Sequence, residues 1–121
     1  MTVLDASALL AFLHDEPGAD IVEAALDAGA VVGAANWSEV AQKVLGSDRD
    51  WRLARAFLLS HELAVEPVTV ADAERAAARW RRGAGHSLGD RLCLALADRL
   101  EATVLTADRA WGAEDRVRLI R

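Results

Sequence analysis

Leu88-Gly89-Asp90-Arg91-Leu92-Cys93-Leu94-Ala95-Leu96-Ala97-Asp98-Arg99-Leu100, followed closely by Thr103-Val104-Leu105-Thr106-Ala107-Asp108, carries the pattern that decides the fold. Leu88, Leu92, Ala95 and Leu96 recur near the helical period, which predicts a helix over Leu88 to Leu100. Thr103 to Thr106 is short, rich in β-branched residues and free of polar alternation, as a strand buried on both faces of a parallel sheet reads. The same kind of run recurs at Val3 to Leu4, Ala30 to Ala34 and Leu63 to Val68. Val117 to Ile120 alternates apolar with charged residues and predicts an edge strand.

Between these strands the chain reads as helix over Ala6 to Leu13, Ala19 to Ala28, Ser38 to Leu45, Arg49 to His61, Ala71 to Arg82 and Leu88 to Leu100. Ala73, Ala76, Ala77 and Trp80 fall on one predicted stripe, so Trp80 is expected in the core. Strands separated by helices imply right-handed βαβ crossovers. The fold class expected is therefore α/β, a three-layer sandwich with a mainly parallel five-stranded sheet flanked by helices. In such folds ligands bind beyond the carboxyl ends of the strands.

A length of 121 residues with 53% hydrophobic content supplies one continuous core, so residues 1–121 are expected to form a single domain. Met1 to Asp15 lacks a basic leader, and no apolar run approaches the roughly 18 to 20 residues that cross a bilayer. Cys93 is the only cysteine, which removes any internal disulfide and fits a reducing setting. A soluble, cytoplasmic protein with no membrane partner is expected. The net charge of -5 argues against a nucleic-acid partner. Two divalent cations held by carboxylates would cancel most of it. All but one of the fourteen basic residues are arginine, which suits bidentate phosphate contacts, although codon bias explains it equally well.

Four acids stand where chemistry is expected. Asp5 follows the first strand, and Asp108 follows the fourth. Glu39, after the second strand in Asn36-Trp37-Ser38-Glu39-Val40, is expected in the first turn of the next helix. Asp90 opens the helix that leads into the fourth strand, and connectivity alone leaves its placement open. Each acid taken singly is explained by helix capping and the helix dipole. Asn36 with Glu39, and Ser87 with Asp90, both match capping-box spacing, worth about 1 kcal/mol. Taken together, three or more acids at one mouth would repel one another unless cations joined them. Oxygen ligands and scattered histidines favour Mg²⁺ or Mn²⁺ over zinc.

The blocks Val3-Leu4-Asp5-Ala6-Ser7-Ala8-Leu9-Leu10, Asn36-Trp37-Ser38-Glu39-Val40, Ser87 to Ala97 and Leu105-Thr106-Ala107-Asp108-Arg109-Ala110-Trp111 resemble, in order, those of the PIN domains, and within them the small VapC-like toxins. The resemblance spans residues 3–111 and is most specific around Asp90. It implies a Mg²⁺- or Mn²⁺-dependent endoribonuclease whose catalytic and metal-holding acids match Asp5, Glu39, Asp90 and Asp108, all intact here. On this reading Asp5 and Asp90 are direct ligands, Asp108 completes or bridges the site, and Glu39 orients water or acts as its base. Ser7 and Thr106 are candidates to hydrogen-bond the ligands, or ordinary turn and cap residues. The resemblance also implies an RNA substrate, a homodimer, and a cognate antitoxin protein that wraps apolar helices and sends a basic side chain toward the acids.

Arg79, Arg81 and Arg82, before Gly83-Ala84-Gly85, are candidate RNA contacts or a basic C-terminal turn complementing the helix dipole. Of the four tryptophans, Trp37 beside Glu39 is the candidate for stacking on a base, and the others read as core. His14, His61 and His86 read as surface residues, with His86 near enough to Asp90 to meet substrate, and Cys93 reads as packing. The apolar circumference of Arg49 to His61 asks for cover from a second chain or from the monomer itself. A haloacid-dehalogenase-like phosphatase would need a second aspartate where Ser7 stands. A receiver domain would need a late lysine, and the only lysine is Lys43. A solitary RNA-processing nuclease, or a non-catalytic binding module on the same fold, remains open.

Overall fold

The computed structural model describes every residue except Ala84, in the lead-in to the Asp90 helix, and Ala113. Five short strands, β1 (Thr2–Leu4), β2 (Ala30–Gly33), β3 (Leu63–Glu66), β4 (Thr103–Thr106) and β5 (Val117–Leu119), form one sheet in the order β3-β2-β1-β4-β5. Every pairing is parallel. Among the described residues six helices intervene: α1 (Ala6–Leu13), α2 (Ala19–Ala28), α3 (Ala34–Gly46), α4 (Trp51–Leu59), α5 (Val70–Ala78) and α6 (Leu88–Leu100). The expected α/β sandwich is the observed one.

The absence of polar alternation in the inner strands has a direct cause. Leu4, Val32 and Leu105 enter one core with α1, α2 and α4, whereas their chain neighbours Val3, Val31 and Val104 enter a second core with α6. Successive side chains point to opposite faces, so a strand covered on both faces must be apolar throughout. Thr2↔Thr103 and Leu4↔Leu105 fix the β1–β4 register. Asp5 and Thr106 therefore emerge side by side from the carboxyl ends of neighbouring strands.

Several boundaries differ from expectation. Helix α3 begins at Ala34, directly off β2, with Gly33 as its cap and no side-chain cap bond, where a start at Ser38 was expected. Asn36 is thus inside the helix and forms no capping box, and Glu39 lies in its second turn. The strongest cap-like residues were misleading because two alanines continue the helix more readily than a cap stops it. Helix α4 starts at Trp51, capped by Asp50 through Leu53 N, and not at Arg49. Helix α5 ends at Ala78, so Trp80 leaves the helical stripe and is 54% exposed; its expected core role is wrong. Strand β3 ends before Pro67 and is an edge strand with exposed Ala64 and Val65, where burial on both faces was expected. Proline removes the donor that a longer ladder would need.

Candidate active site

Because all strands are parallel, their carboxyl ends lie along one edge, and a helix leading back into a strand starts at that edge. Asp5 leaves β1, α3 leaves β2, Asp108 follows β4, and α6 begins there with Asp90. The four acids consequently line one cleft of about 190 Å³, with Ser7, Asn36, Lys43 and Trp111 also on its walls.

Asp5 is the most constrained of them. It caps α1 through Ala8 N (2.8 Å), accepts Ser7 Oγ (2.8 Å) on the same oxygen, and accepts Thr106 Oγ1 (2.5 Å) on the other. Ser7 Oγ accepts in turn from Ala107 N (2.9 Å) and Thr106 Oγ1 from Asp108 N (3.0 Å). Two hydroxyls thereby tie the exits of β1 and β4 together and link Asp5 to Asp108. Burial raises the Asp5 carboxyl from 3.8 to about 6 against these donors, and the Asp90 charge adds to the rise.

Asp90 Oδ2 accepts Ser87 N (3.0 Å) while Asp90 N donates to Ser87 Oγ (3.1 Å), so the capping box read from the sequence is present. Asp108 caps the 3-10 turn Arg109–Trp111 by accepting Ala110 N (2.9 Å). Glu39 Oε1 accepts Asn36 Nδ2 (2.8 Å), and the same amide reaches Gly89 O (3.2 Å) on α6.

Two residues that chain-local reasoning missed hold this corner. Asn36 is a buried polar side chain, and a Cβ at Gly89 would lie 2.7 Å from Glu39 Oε1, so a side chain there would push the Glu39 carboxylate from its present place. The available signal was the Gly-Asp pair at a helix start and the polar residue one turn before Glu39. Lys43 on the cleft wall was likewise not singled out as a site residue.

Among the described residues no three metal-ligating side chains converge on one point as they stand. Each carboxylate is instead partly spent on caps and amides. Glu39, Asp90 and Asp108 nevertheless each keep a second oxygen without a protein donor among the described residues. Together with Asp5 they form an all-oxygen donor set that fits a hard divalent cation and not zinc.

The other candidates lie elsewhere. Arg79 is paired with Asp98 (3.2 Å) and Glu114 (3.5 Å), Arg81 donates to Ala78 O and Trp80 O, and Arg82 lies over the Trp80 ring. None of the three lines the acidic cleft. Trp37 is half-buried and meets Trp51 edge-on at 5.2 Å. His86 packs edge-on against the buried Trp111. Cys93 is fully buried, and its thiol is pushed well above its ordinary value by burial first and by Asp5, Asp90 and Glu39 next. It packs; it is no nucleophile.

Comparison with solved structures finds the same architecture repeatedly. A toxin–antitoxin complex from Klebsiella pneumoniae superposes with a TM-score of 0.78 at 18% identity, covering 100% of this chain and 98% of the other. The sarcin–ricin loop-cleaving toxin VapC20 of Mycobacterium tuberculosis gives 0.69 at 16%, covering 95% and 92%. DNA-bound VapBC from Salmonella typhimurium gives 0.70 at 16%, covering 98% and 95%. By sequence alone no curated protein is significantly similar. The profile of the PIN domain matches residues 2–115, nearly the whole chain. Fold and family profile agree, and this chain belongs to the PIN domain family.

Proposed function

We propose that this protein is a Mg²⁺- or Mn²⁺-dependent endoribonuclease acting as the toxin of a VapBC-like toxin–antitoxin pair. The observation that carries the reading is the meeting of Asp5, Glu39, Asp90 and Asp108, from four separate segments, on the walls of one cleft. Capping alone would bring Asp5, Asp90 and Asp108 to this edge, but Glu39 caps nothing and still lines the same cleft, and burial and the Asp90 charge disfavour the charge on Asp5. Solved structures of similar fold include toxin–antitoxin assemblies and a toxin that cuts RNA, which supports the same activity and a protein inhibitor here.

Asp5 and Asp90 would hold the cation directly, with Asp108 and Glu39 completing its oxygen shell. A bound divalent cation supplies Lewis acidity toward the phosphate and lowers the pKa of water. The protein contributes the positioning. Ser7 and Thr106 clamp Asp5 so that its carboxylate does not swing, and Thr106 also fixes the backbone of Asp108. Asn36 holds Glu39 by one oxygen and leaves the other to orient a water molecule or take its proton. An apolar groove of about 420 Å³ between α1, α3 and α4, lined by Leu13, Val44, Leu53 and Phe57, offers an antitoxin or a second copy a docking face. No helix among the described residues is long and apolar enough to cross a membrane; we place the protein in the cytoplasm with its RNA.

The test is cleavage of structured RNA with Mg²⁺ or Mn²⁺. We expect EDTA to stop it, and Asp5→Asn or Asp90→Asn to stop it with the circular-dichroism spectrum unchanged. Full cleavage by both variants would refute the assignment.

A further inference from the structure

The acidic cleft does not end at its carboxylates. Its wall residues Ser7, Leu10 and Lys43 also line a second, open cavity of about 410 Å³ that continues over His14, Arg49 and Arg121. Sharing these walls, the two cavities run on as one trough, with the four acids at the sheet edge and, beyond it, Lys43, Arg49 and Arg121 beside a single acid, Glu16. Lys43 sits one turn after Glu39 on α3, about 6 Å further along the helix axis. Arg49 follows in the link to α4, with its N–H bonded to Val44 O (3.2 Å).

What sets these two cations apart is where they stand, since Arg52, Arg55, Arg109 and Arg118 among others also have no carboxylate within salt-bridge distance among the described residues. Arg75, Arg79, Arg99 and Arg116 are each bound to a carboxylate. Arg121 at the trough's rim is held by Glu16 (3.4 Å). Among the described residues neither Lys43 nor Arg49 lies within salt-bridge distance of a carboxylate. The position of Lys43 in the last turn of α3 suits the helix dipole. That does not account for both cations lining one cavity that opens into the acids.

Resting on the nuclease reading above, we propose that Lys43 and Arg49 bind the phosphates of the RNA strand next to the scissile phosphate, so that the strand leaves the acidic cleft along this trough. An acidic chain needs such a strip, because carboxylates beside the cut repel the neighbouring phosphates while unpaired cations attract them. Two cations spaced along the trough fit a polyanion with regularly repeated charges. This role belongs to the pair that the fold brings to the cleft, and not to Arg79, whose guanidinium is already occupied.

The experiment measures binding of a fluorescein-labelled oligoribonucleotide of mixed sequence by anisotropy, in EDTA to prevent cleavage, across a salt series. Lys43→Gln with Arg49→Gln is compared with wild type and with the charge-matched Arg52→Gln with Arg55→Gln, whose arginines are exposed on α4 and line neither cavity. The expected result for the trough pair is affinity lower by about tenfold at low salt and a log Kd against log salt slope smaller by about 0.7 per cation removed. With metal restored, KM rises and kcat at saturating RNA persists. The α4 pair should change neither slope nor KM. Equal affinity and slope for wild type and the trough pair would overturn the proposal while leaving the nuclease reading intact, provided wild type cleaves. Failure of wild type to bind or cleave RNA would overturn both. Loss of binding to a protein inhibitor, with RNA affinity unmoved, would assign the trough to that partner and equally overturn the proposal.

Discussion

Two groups of acids in this molecule have opposite surroundings. Across α5 and α6, Asp72 accepts from Nε and Nη2 of Arg99 (3.0 and 3.1 Å), and Asp98 is shared by Arg75, Arg79 and Arg116. At the sheet edge, Asp5, Glu39, Asp90 and Asp108 line one cleft, with Lys43 as the only lysine or arginine on its wall among the described residues. In the first group each carboxylate has at least one arginine partner, between helices that must stay packed. In the second the acids have no arginine or lysine partner among the described residues, which is what the proposed cation site requires. Paired carboxylates report on stability, and unpaired, clustered ones report on chemistry.

The largest expected difference is in turnover. Asp5→Asn or Asp90→Asn should reduce RNA cleavage by at least about a thousandfold. Asp98→Asn should leave the rate within about twofold while costing roughly 1 kcal/mol of stability. Equal inactivation by Asp98→Asn, followed by gel assay at matched protein concentration, would erase the distinction between the two groups.

Stability should then move in opposite directions. Metal-free in EDTA near neutral pH, Asp5→Asn should gain up to roughly 3 kcal/mol, since a carboxyl raised from 3.8 to about 6 opposes folding once ionised and asparagine still caps α1. Asp72→Asn should lose roughly 2 kcal/mol, because it strands Arg99 and weakens the Thr69 capping box. Urea denaturation measures both, and a loss of stability in Asp5→Asn would contradict the electrostatic account.

A smaller effect is expected at the α3–α6 corner. Asn36→Ala should cut cleavage by about tenfold and weaken Mn²⁺ binding with little change in RNA affinity, the signature of a lost positioning residue. Gly89→Ala should do the same, by forcing Glu39 away from a Cβ. Unchanged Mn²⁺ affinity in both, by calorimetry, would remove Asn36 and Gly89 from the site.

The smallest effect is the pH dependence of stability without metal. Burial alone would raise the Asp72 carboxyl, but Arg99 and Thr69 outweigh it and hold it below its ordinary value. Its contribution is therefore complete above about pH 4 and is lost as the pH falls through the lowered folded value. Asp5 has the opposite sign: its burden is absent below 3.8 and complete above about 6. Asp72→Asn should flatten the acid limb of the stability curve, and Asp5→Asn should remove the decline between those two values. Identical curve shapes for wild type and both variants would show that neither group is perturbed.

How the site could be read from the chain follows from what is local. The Ser87–Asp90 capping box, the strand-then-acid order at Asp5 and Asp108, and the apolar inner strands depend on neighbours within a few residues, and all stand in the structure. Glu39 was assigned to the right sheet edge through the wrong helix start. Trp80 was assigned to the core by extending a stripe beyond the helix that carries it. A periodic pattern says which face is apolar but not where the helix stops.

By itself the sequence determined a parallel α/β sheet, because strands covered on both faces must be apolar, and it marked four acids next to strand ends or helix starts. Only the tertiary structure decided that Asn36 reaches Gly89 across 53 residues of chain, that Thr106 clamps Asp5 across 101, and that Lys43 lines both the acidic cleft and the neighbouring cavity that holds Arg49. Local propensity sets conformation over a turn or two, whereas the distance between two helices is set by what packs between them, and that is a property of the whole fold.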